Sequence, residues 1–297
     1  MLADRILDYL RSDRVREVPP DVADLALALI RRSFSRQFGP AQKQRARKPS
    51  ASSSWYCARK MVYDALPDPA HEPEPIQPRG RMTFWNGDVL ESTCIALMRL
   101  AGVPLLSPDP VTGEQQEFML PVGGLSVPCH LDFTFEHEGR EIPGDVKSMS
   151  GRSFDEFTRA ASDPRAPWLI QNEYNYLAQI RLYMRAKDAP FGVFLAVNKD
   201  TGAMAELTVR RSAEFDAEID RRADYVRAHI TDRSAPPRPA FAVTEILPGA
   251  NQRPDGTKGK VEEITDWKCR YCSHIKRCWE GFGMVPLASG PKWRRAV

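Results

Sequence analysis

Four residues in the middle of the chain have the types and the spacing of a phosphodiester-hydrolysing centre. Asp132 precedes the segment Asp145-Val146-Lys147 by thirteen residues. Two positions apart on a strand, Asp145 and Lys147 project from one face, while Val146 points away. The two carboxylates and the backbone carbonyl of Val146 supply the oxygen ligands that Mg²⁺ or Mn²⁺ prefers. Such a cation activates water, and Lys147 orients that water or faces the phosphate.

Three polar residues on predicted helices extend this set. Glu91 shares a helix face with Ile95 and Met98, where an unpaired carboxylate is costly to bury. Gln179 and Tyr183 are four residues apart, so they face together from one helix. Ordinary alternatives stay open at this stage. The strand residues also suit a solubilised surface, Glu91 suits the rim of a first helical turn, and Tyr183 suits a core.

The cysteines form a second group with chemical potential. They are Cys57, Cys94, Cys129, Cys269, Cys272 and Cys278. The last three crowd near the C-terminus, and in a chain without an export signal this C-x-x-C spacing indicates metal or redox chemistry before disulfides. Spacing alone suits zinc, with His274 as an alternative fourth ligand, as well as it suits iron. We expect Cys94 and Cys129 to be buried apolar residues.

The order of predicted elements indicates how these residues are positioned. The patterns predict helices over 1–38 with a break at Pro19-Pro20, and further helices over 86–101, 172–186 and 215–230, with a capping box from Ser153 to Glu156. They predict strands over 125–135 and 141–147 around a turn at 137–140, and strands over 191–197 and 204–209. A linker over 39–54 and loops over 65–80 and 233–260 separate these elements. This order predicts an α/β fold with a mixed sheet flanked by helices.

Composition sets outer limits on function. The chain has 297 residues, 42% hydrophobic and 27% charged, as in ordinary globular proteins. No apolar run approaches the roughly 18 residues of a membrane span, and the N-terminus lacks the apolar core of a secretory signal, so we expect a cytoplasmic protein without membrane partners. No Walker-type phosphate loop is present, which argues against a built-in motor.

Basic residues cluster in two places. They are Arg31, Arg32, Arg36, Lys43, Arg45, Arg47 and Lys48 near the N-terminus, and Lys292, Arg294 and Arg295 near the C-terminus. Such clusters hold phosphates in a salt-dependent way, or they are simply a solvated helix face and a linker.

The order of the motifs resembles the RecB-like nuclease family of the PD-(D/E)XK superfamily. The matching positions are Gly87, Glu91, Asp132, Asp145, Lys147, Gln179 and Tyr183. Ser54-x-x-Cys57-x-Arg59 and the C-terminal cysteine triplet are similar to the iron–sulfur branch, which includes the CRISPR-associated RecB-like nuclease, the AddB nuclease domain and stand-alone phage exonucleases. Many members of the family carry histidine at the position of Glu91, and acidic versions resemble the phage exonucleases.

The resemblance implies a PD-(D/E)XK fold. It implies a helical N-terminal arm and basic linker over 1–50, and a nuclease domain over 51–297 that ends in an iron–sulfur segment. Its implied cation ligands are Glu91, Asp132, Asp145 and the carbonyl of Val146, with Lys147, Gln179 and Tyr183 completing the catalytic set. It further implies that Cys57, Cys269, Cys272 and Cys278 bind a structural [4Fe–4S] cluster, and that Arg59 and Lys60 lie near the DNA.

The expected function is therefore a Mg²⁺- or Mn²⁺-dependent DNA exonuclease in recombination, repair or phage DNA processing. An exonuclease is favoured over an endonuclease, and a single-strand annealing or recombination protein is the suggested partner. The first alternative is a non-catalytic DNA-end-binding or assembly protein that retains the fold. The second is a redox protein, for which the sequence offers no cofactor-binding signature and which leaves the carboxylates unexplained.

Overall fold

A computed structural model provides the three-dimensional structure of the chain. It describes residues 2–12, 17–39, 49–52, 55–71, 76, 78–239, 242–246, 253–270, 272–287 and 292–297. Lys43, Arg45, Arg47 and Lys48 of the basic stretch lie outside the described residues, as does Ser54 of the upstream motif. Among the described helices, none combines the length and the apolarity that a bilayer crossing requires.

The chain separates into two compact units. The first unit contains Met1–Tyr56 and Ile76–Arg227, and the second contains Cys57–Pro75 and Ala228–Val297. The predicted division near residue 50 differs from this one, because the N-terminal helices cluster with the first unit. Cys57 clusters with the C-terminal segment that holds the other three cysteines of the predicted cluster.

The helices are α1 (Leu2–Arg11), α2 (Pro20–Phe38), α3 (Ala58–Ala65), α4 (Pro78–Leu100), α5 (Gly151–Ala160), α6 (Pro167–Asn172), α7 (Tyr176–Lys187), α8 (Ala213–Thr231), α9 (Trp267–Arg270) and α10 (Ile275–Cys278). The strands are β1 (Leu105–Ser107), β2 (Glu117–Val122), β3 (Leu125–His130), β4 (Phe133–His137), β5 (Arg140–Met149), β6 (Phe191–Asn198), β7 (Met204–Arg210), β8 (Val243–Ile246), β9 (Val261–Ile264), β10 (Gly283–Val285) and β11 (Lys292–Ala296).

A five-stranded mixed sheet forms the centre of the first unit. Its strand order is β1-β4-β5-β6-β7. Only β5 and β6 run parallel in this sheet, and the other neighbours are antiparallel. Parallel neighbours need a long crossover, and here α5, α6 and α7 provide it. The predicted mixed sheet flanked by helices is therefore confirmed.

A tight hairpin joins β4 to β5 and sets the register of the site. Glu138 and Gly139 both have positive φ, at 50° and 73°, as expected of a two-residue hairpin turn. This register places Phe133 opposite Gly144. A Cβ atom at position 144 would lie 2.0 Å from the Phe133 ring, so only glycine lets the ring cover the strand immediately before Asp145.

In the first unit, three local predictions differ from the structure. The strand predicted over 125–135 is two strands in different sheets, because β3 pairs with β2 and β4 pairs with β5. Helix α4 begins at Pro78 rather than near residue 86, in accord with the tolerance of a first helical turn for proline. The predicted capping box does not start a helix: the N-cap of α5 is Ser150, without a side-chain cap.

The second unit is built on a four-stranded antiparallel sheet of order β10-β11-β9-β8. Its apolar core contains Tyr63, Ala242, Ile264, Ile275, Cys278, Trp279 and Phe282. In β9 and β11, the buried carboxylate of Glu263 pairs with Arg294 at 2.8 Å. The sequence predicted a loop over 233–260, where the structure places β8.

Candidate functional site

The chain brings the carboxylates of Asp132 and Asp145 to adjacent positions of the hairpin. Asp132 lies in the break between β3 and β4, not within one strand as predicted. Its Oδ2 accepts a hydrogen bond of 2.9 Å from the backbone amide of Val146. The carbonyl of a strand residue points to the same side as its amide. We therefore expect the Val146 carbonyl to face Asp132.

Asp145 is the most enclosed acid of the site. Its side chain is 0% exposed and forms an ion pair with the ammonium of Lys147. Apart from this ion pair, neither carboxylate oxygen has a hydrogen-bond donor at a favourable distance and angle among the described residues. Burial raises the pKa of Asp145 above its usual value, although the Lys147 charge acts in the opposite direction. An acid buried in this way takes its positive charge from Lys147.

Lys147 lies between the acids and helix α7. Its Nζ lies 3.4 Å from Oε1 of Gln179 and 4.8 Å from the centre of the Tyr176 ring. Burial alone would lower the pKa of Lys147, but the charges of Asp145 and Asp132 raise it. The side chain is therefore a fixed ammonium ion with a cation–π contact on one side.

Glu91 reaches the site from the middle of α4. Its position well inside the helix removes the alternative of a first-turn acid at the helix dipole. Gln115 Nε2 donates to Glu91 Oε1 at 2.6 Å and lies 3.3 Å from the carbonyl of Asp132. Burial raises the pKa of Glu91 to about 7, opposed by the charge of Arg36 and the bond from Gln115.

Asp132 completes a group of three acids whose pKa values are all raised. Burial raises the pKa of Asp132 well above its usual value, and the charges of Asp145 and Glu91 raise it further. As the described side chains stand, no group of three or more His, Cys, Asp or Glu residues is arranged to hold a metal ion. The chemistry of the donor set nevertheless fits a hard cation, because three carboxylates with raised pKa values offer the oxygen ligands that such a cation prefers.

Gln179 and Tyr183 face together from α7, as their spacing predicts. Gln179 Nε2 lies 3.0 Å from the Tyr183 hydroxyl, which donates to the backbone carbonyl of His130. Tyr183 is 1% exposed. The hydroxyl is therefore used in hydrogen bonds inside the protein. Of the two side chains, Gln179 is the one that contacts Lys147. We read Tyr183 as a residue that positions Gln179.

Helix α2 contributes a basic residue whose role the sequence pattern did not reveal. Arg36 Nη2 binds Oδ1 of the buried Asp88 at 2.6 Å, and Gln37 Nε2 binds Oδ2 at 2.8 Å. Burial acts to lower the pKa of Arg36, but Asp88 raises it, and the charges of Glu91 and Asp132 contribute. The N-terminal arm thus supplies positive charge to the acids. In the sequence, Arg36 appeared only as one of several basic residues.

The four predicted cluster cysteines line one cavity in the second unit. Cys57 precedes α3, Cys269 lies in α9, Cys272 follows it and Cys278 ends α10. They surround a cavity of ≈ 20 Å³, room for one water or one small ion. All four are free thiols. Cys94 and Cys129, each 1% exposed, are buried as predicted.

Burial raises the pKa of all four thiols, which favours their protonated form when no metal is bound. Burial raises the pKa of Cys269 to about 12 and that of Cys272 to about 11, and in both cases the other cysteines add to the shift. Four cysteine sulfurs are the donor set of a tetrahedral zinc site or of an iron–sulfur cluster, although the described cysteines, like the acids, are not arranged as a metal-holding group as their side chains stand. The donor chemistry fits both, whereas the cavity volume favours a single ion.

A buried polar chain beside the cysteines was missed in the sequence. His274 Nε2 lies 2.7 Å from Asp64 Oδ1, and Lys60 Nζ lies 2.6 Å from Asp64 Oδ2. Arg59 donates to the carbonyl of Pro236 and lies over the Tyr63 ring. Lys60 and Arg59 therefore have partners within the second unit. Their predicted contact with DNA stays a prediction.

Comparisons with known proteins do not identify a family. No family model and no curated protein matches the chain. One solved structure, described as "Crystal structure of SSO0001", is 13% identical with a TM-score of 0.42, covering 82% of this chain and 91% of that chain. At this TM-score the similarity supports no conclusion about function.

Proposed function

We propose that the chain is a cation-dependent deoxyribonuclease with a PD-(D/E)XK fold. The observation that carries the proposal is the convergence of Asp132, Asp145 and Lys147 beside the Glu138-Gly139 turn, with Asp145 fully buried against the Lys147 ammonium. Burial raises the pKa values of Asp132, Asp145 and Glu91, so keeping the three acids together costs free energy and favours a role that needs them. The order of the motifs, which resembles RecB-like nucleases, supports DNA as the substrate.

The proposed ligands of Mg²⁺ or Mn²⁺ are the carboxylates of Asp132, Asp145 and Glu91, with the Val146 carbonyl. When bound, the cation supplies positive charge to the phosphate and a water of lowered pKa. The backbone bond from Val146 fixes the rotamer of Asp132. Gln115 links Glu91 to the main chain of Asp132 and so fixes the distance between two of the acids.

Lys147 has the role of a positioned charge in this proposal. Its ammonium is held by Asp145, by the Tyr176 ring and by Gln179. A lysine with a raised pKa stays protonated, so it stabilises negative charge and orients water rather than accepting a proton. Gln179 and Tyr183 position this charge, because the Tyr183 hydroxyl is committed to the His130 carbonyl.

The deciding experiment is cleavage of end-labelled linear DNA by anaerobically purified protein with Mg²⁺ or Mn²⁺. Lys147→Ala is compared with Lys199→Ala, which removes an exposed lysine from a turn. We expect the first variant to cut about 10²-fold more slowly or worse and the second to cut normally. Release of label as mononucleotides indicates an exonuclease. A folded wild type that binds DNA and never cuts with either metal favours the non-catalytic DNA-end-binding alternative.

We propose further that the four cysteines hold a structural [4Fe–4S] cluster. The convergence of Cys57 with the C-terminal triplet supports a four-thiolate site, and the resemblance supports iron. Zinc is the second candidate, because the small cavity suits one ion. Metal analysis of protein purified without oxygen separates the two: about four iron atoms per chain with visible absorbance supports the cluster, and one zinc per chain contradicts it.

A further inference from the structure

Three aromatic side chains form an exposed group where helix α2 packs on helix α4. We call Phe34, Phe38 and Trp85 the aromatic trio. Their ring centres lie 5.0 Å (Phe34–Phe38), 5.4 Å (Phe34–Trp85) and 5.8 Å (Phe38–Trp85) apart. Phe34 is 55% exposed and Phe38 is 40% exposed. Large aromatic rings grouped at a surface mark a binding site more often than rings scattered singly.

Positive charge borders the aromatic trio on both helices. Arg31 is exposed and lies one helical turn before Phe34, and Arg81 lies one turn before Trp85. Arg36 lies between the two phenylalanines in sequence and binds Asp88, one turn after Trp85. A surface that combines flat rings with arginines is complementary to a nucleic-acid strand, whose bases stack and whose phosphates are anionic.

Helix α4 connects the aromatic trio with the acids Glu91, Asp132 and Asp145, which we call the carboxylate centre. Trp85, Asp88 and Glu91 succeed one another at intervals of three residues on this helix. With 1.5 Å of rise and about 100° of turn per residue, Trp85 and Glu91 are about 9 Å apart along the axis and about 120° apart around it. At a rise of about 3.4 Å per nucleotide, the axial distance corresponds to roughly two or three nucleotides, and a strand that reaches both residues also passes around the helix. Arg36 lies between, and its charge acts on both Glu91 and Asp132.

We propose that the aromatic trio is a stacking platform for single-stranded DNA, which holds the bases next to the nucleotide at the carboxylate centre. The inference rests on the proposed function for the identity of the strand as DNA. In duplex DNA the base faces are occupied by neighbouring bases, so exposed rings gain little from it, whereas unpaired bases stack freely. The platform therefore favours a single-stranded end as the substrate.

The test is a binding measurement with the full chain and no added divalent metal, so that no cutting occurs. The probes are a fluorescein-labelled oligothymidylate and a blunt duplex of the same length, followed by anisotropy. The variant is Phe34→Leu with Phe38→Leu, which keeps apolar volume against α4 and removes both flat rings. The control is Tyr225→Leu, which removes an aromatic ring that is 45% exposed on α8.

We expect the Kd of the double variant for the oligothymidylate to rise about tenfold, as for the loss of one stacked base. Its Kd for the duplex and both Kd values of Tyr225→Leu should change less than about twofold. If thermal unfolding shows that the double variant is destabilised, Phe34→Leu alone, at the more exposed position, replaces it in the comparison.

Two results would overturn the inference. An equal rise for single-stranded and duplex DNA means that the rings do not stack on bases. Unchanged Kd values, together with self-association of the wild type that the variant loses, mean that the aromatic trio contacts protein.

The two proposals fail separately: a protein that binds single strands through the aromatic trio and never cuts refutes only the nuclease, and one that cuts with unchanged Kd values refutes only the platform.

Discussion

The carboxylate centre and the cysteine cavity differ in how the chain assembles them. Asp132, Asp145 and Lys147 come from one hairpin of the first unit, so a short stretch of backbone sets their spacing. The cavity of the second unit joins Cys57 to three cysteines near the C-terminus. The first site gathers several buried acids around one lysine, whereas the second combines an apolar core with the paired side chains of Lys60, Asp64 and His274.

From this difference we expect substitutions at the two sites to change the free energy of unfolding in opposite directions. Removal of an acidic charge from the carboxylate centre relieves repulsion in the metal-free protein. In the proposed metal site, removal of a thiol takes away a ligand that joins distant segments, and the binding free energy of a structural metal is folding free energy.

Cys272→Ser should have the largest effect. We expect loss of bound metal and loss of hydrogen-exchange protection in β9 and β11, because structural metal sites contribute about 10 kcal/mol or more. Mass spectrometry of exchanged peptides measures the protection, and metal analysis measures the content. Cys94→Ala is the matched control, since Cys94 is buried outside the cavity. Normal metal content in Cys272→Ser would contradict the proposed role of the cysteines and remove the contrast between the two sites.

Asp132→Asn should separate activity from stability. An amide can still accept the bond from the Val146 amide, but it no longer repels Asp145 or Glu91. We expect cleavage to fall about 10³-fold. The metal-free melting temperature should rise by about 2–4 °C, the shift for roughly 1 kcal/mol in a domain of this size.

Asp155→Asn, at an exposed position of α5, controls for the chemical change from acid to amide. It should leave both the cleavage rate and the melting temperature unchanged. A clear fall in the melting temperature of metal-free Asp132→Asn would show that Asp132 stabilises the fold. Burial of the acids would then carry no net cost in folding free energy, and the contrast between the two sites would disappear.

The metal-free protein should lose stability as pH rises from 4.5 to about 7. Burial raises the pKa of Glu91 from 4.5 to about 7, so the folded chain binds more protons than the unfolded chain within this window. The stabilisation is complete below pH 4.5 and is lost as Glu91 ionises. Melting curves of the wild type and Glu91→Gln measure the slope, which the variant should flatten.

Glu138→Gln, in the exposed hairpin turn, should keep the slope of the wild type. Added Mn²⁺ should also flatten it, because a bound cation stabilises the ionised acids. An identical slope in Glu91→Gln would mean that Glu91 titrates at its ordinary pKa, and the carboxylate centre would be less crowded than its geometry indicates.

Asp64 should show the opposite pH dependence on a smaller scale. Burial acts to raise the pKa of Asp64, but the bond from His274 and the charge of Lys60 lower it below 3.8. Its contribution is therefore present above pH 3.8 and is lost as pH falls further. Asp64→Asn should lower stability at neutral pH by about 1–2 kcal/mol. Exchange in β9 and β11 measures the effect, with exposed Asp232→Asn as the control.

Local spacing was enough to predict the central hairpin and most of the candidate site. Two residues per strand period place Asp145 and Lys147 on one face, and the Glu138-Gly139 turn brings Asp132 beside them. A period of 3.6 residues makes Gln179 and Tyr183 face together. These relations need only backbone geometry over fewer than about twenty residues, which is why the hairpin was predicted. The mixed sheet was predicted from the order of helices and strands.

The tertiary structure decided which of these groups have partners. It turned Tyr183 inward to the His130 carbonyl, brought Arg36 to Asp88, and paired His274 with Asp64. It also broke the predicted strand at Asp132, because β3 and β4 belong to different sheets. Contacts between distant segments depend on how the whole chain packs, and no periodicity in the sequence records them. Local spacing is enough to group Asp132, Asp145 and Lys147, and packing sets the charges around them, because Arg36 comes from a distant helix.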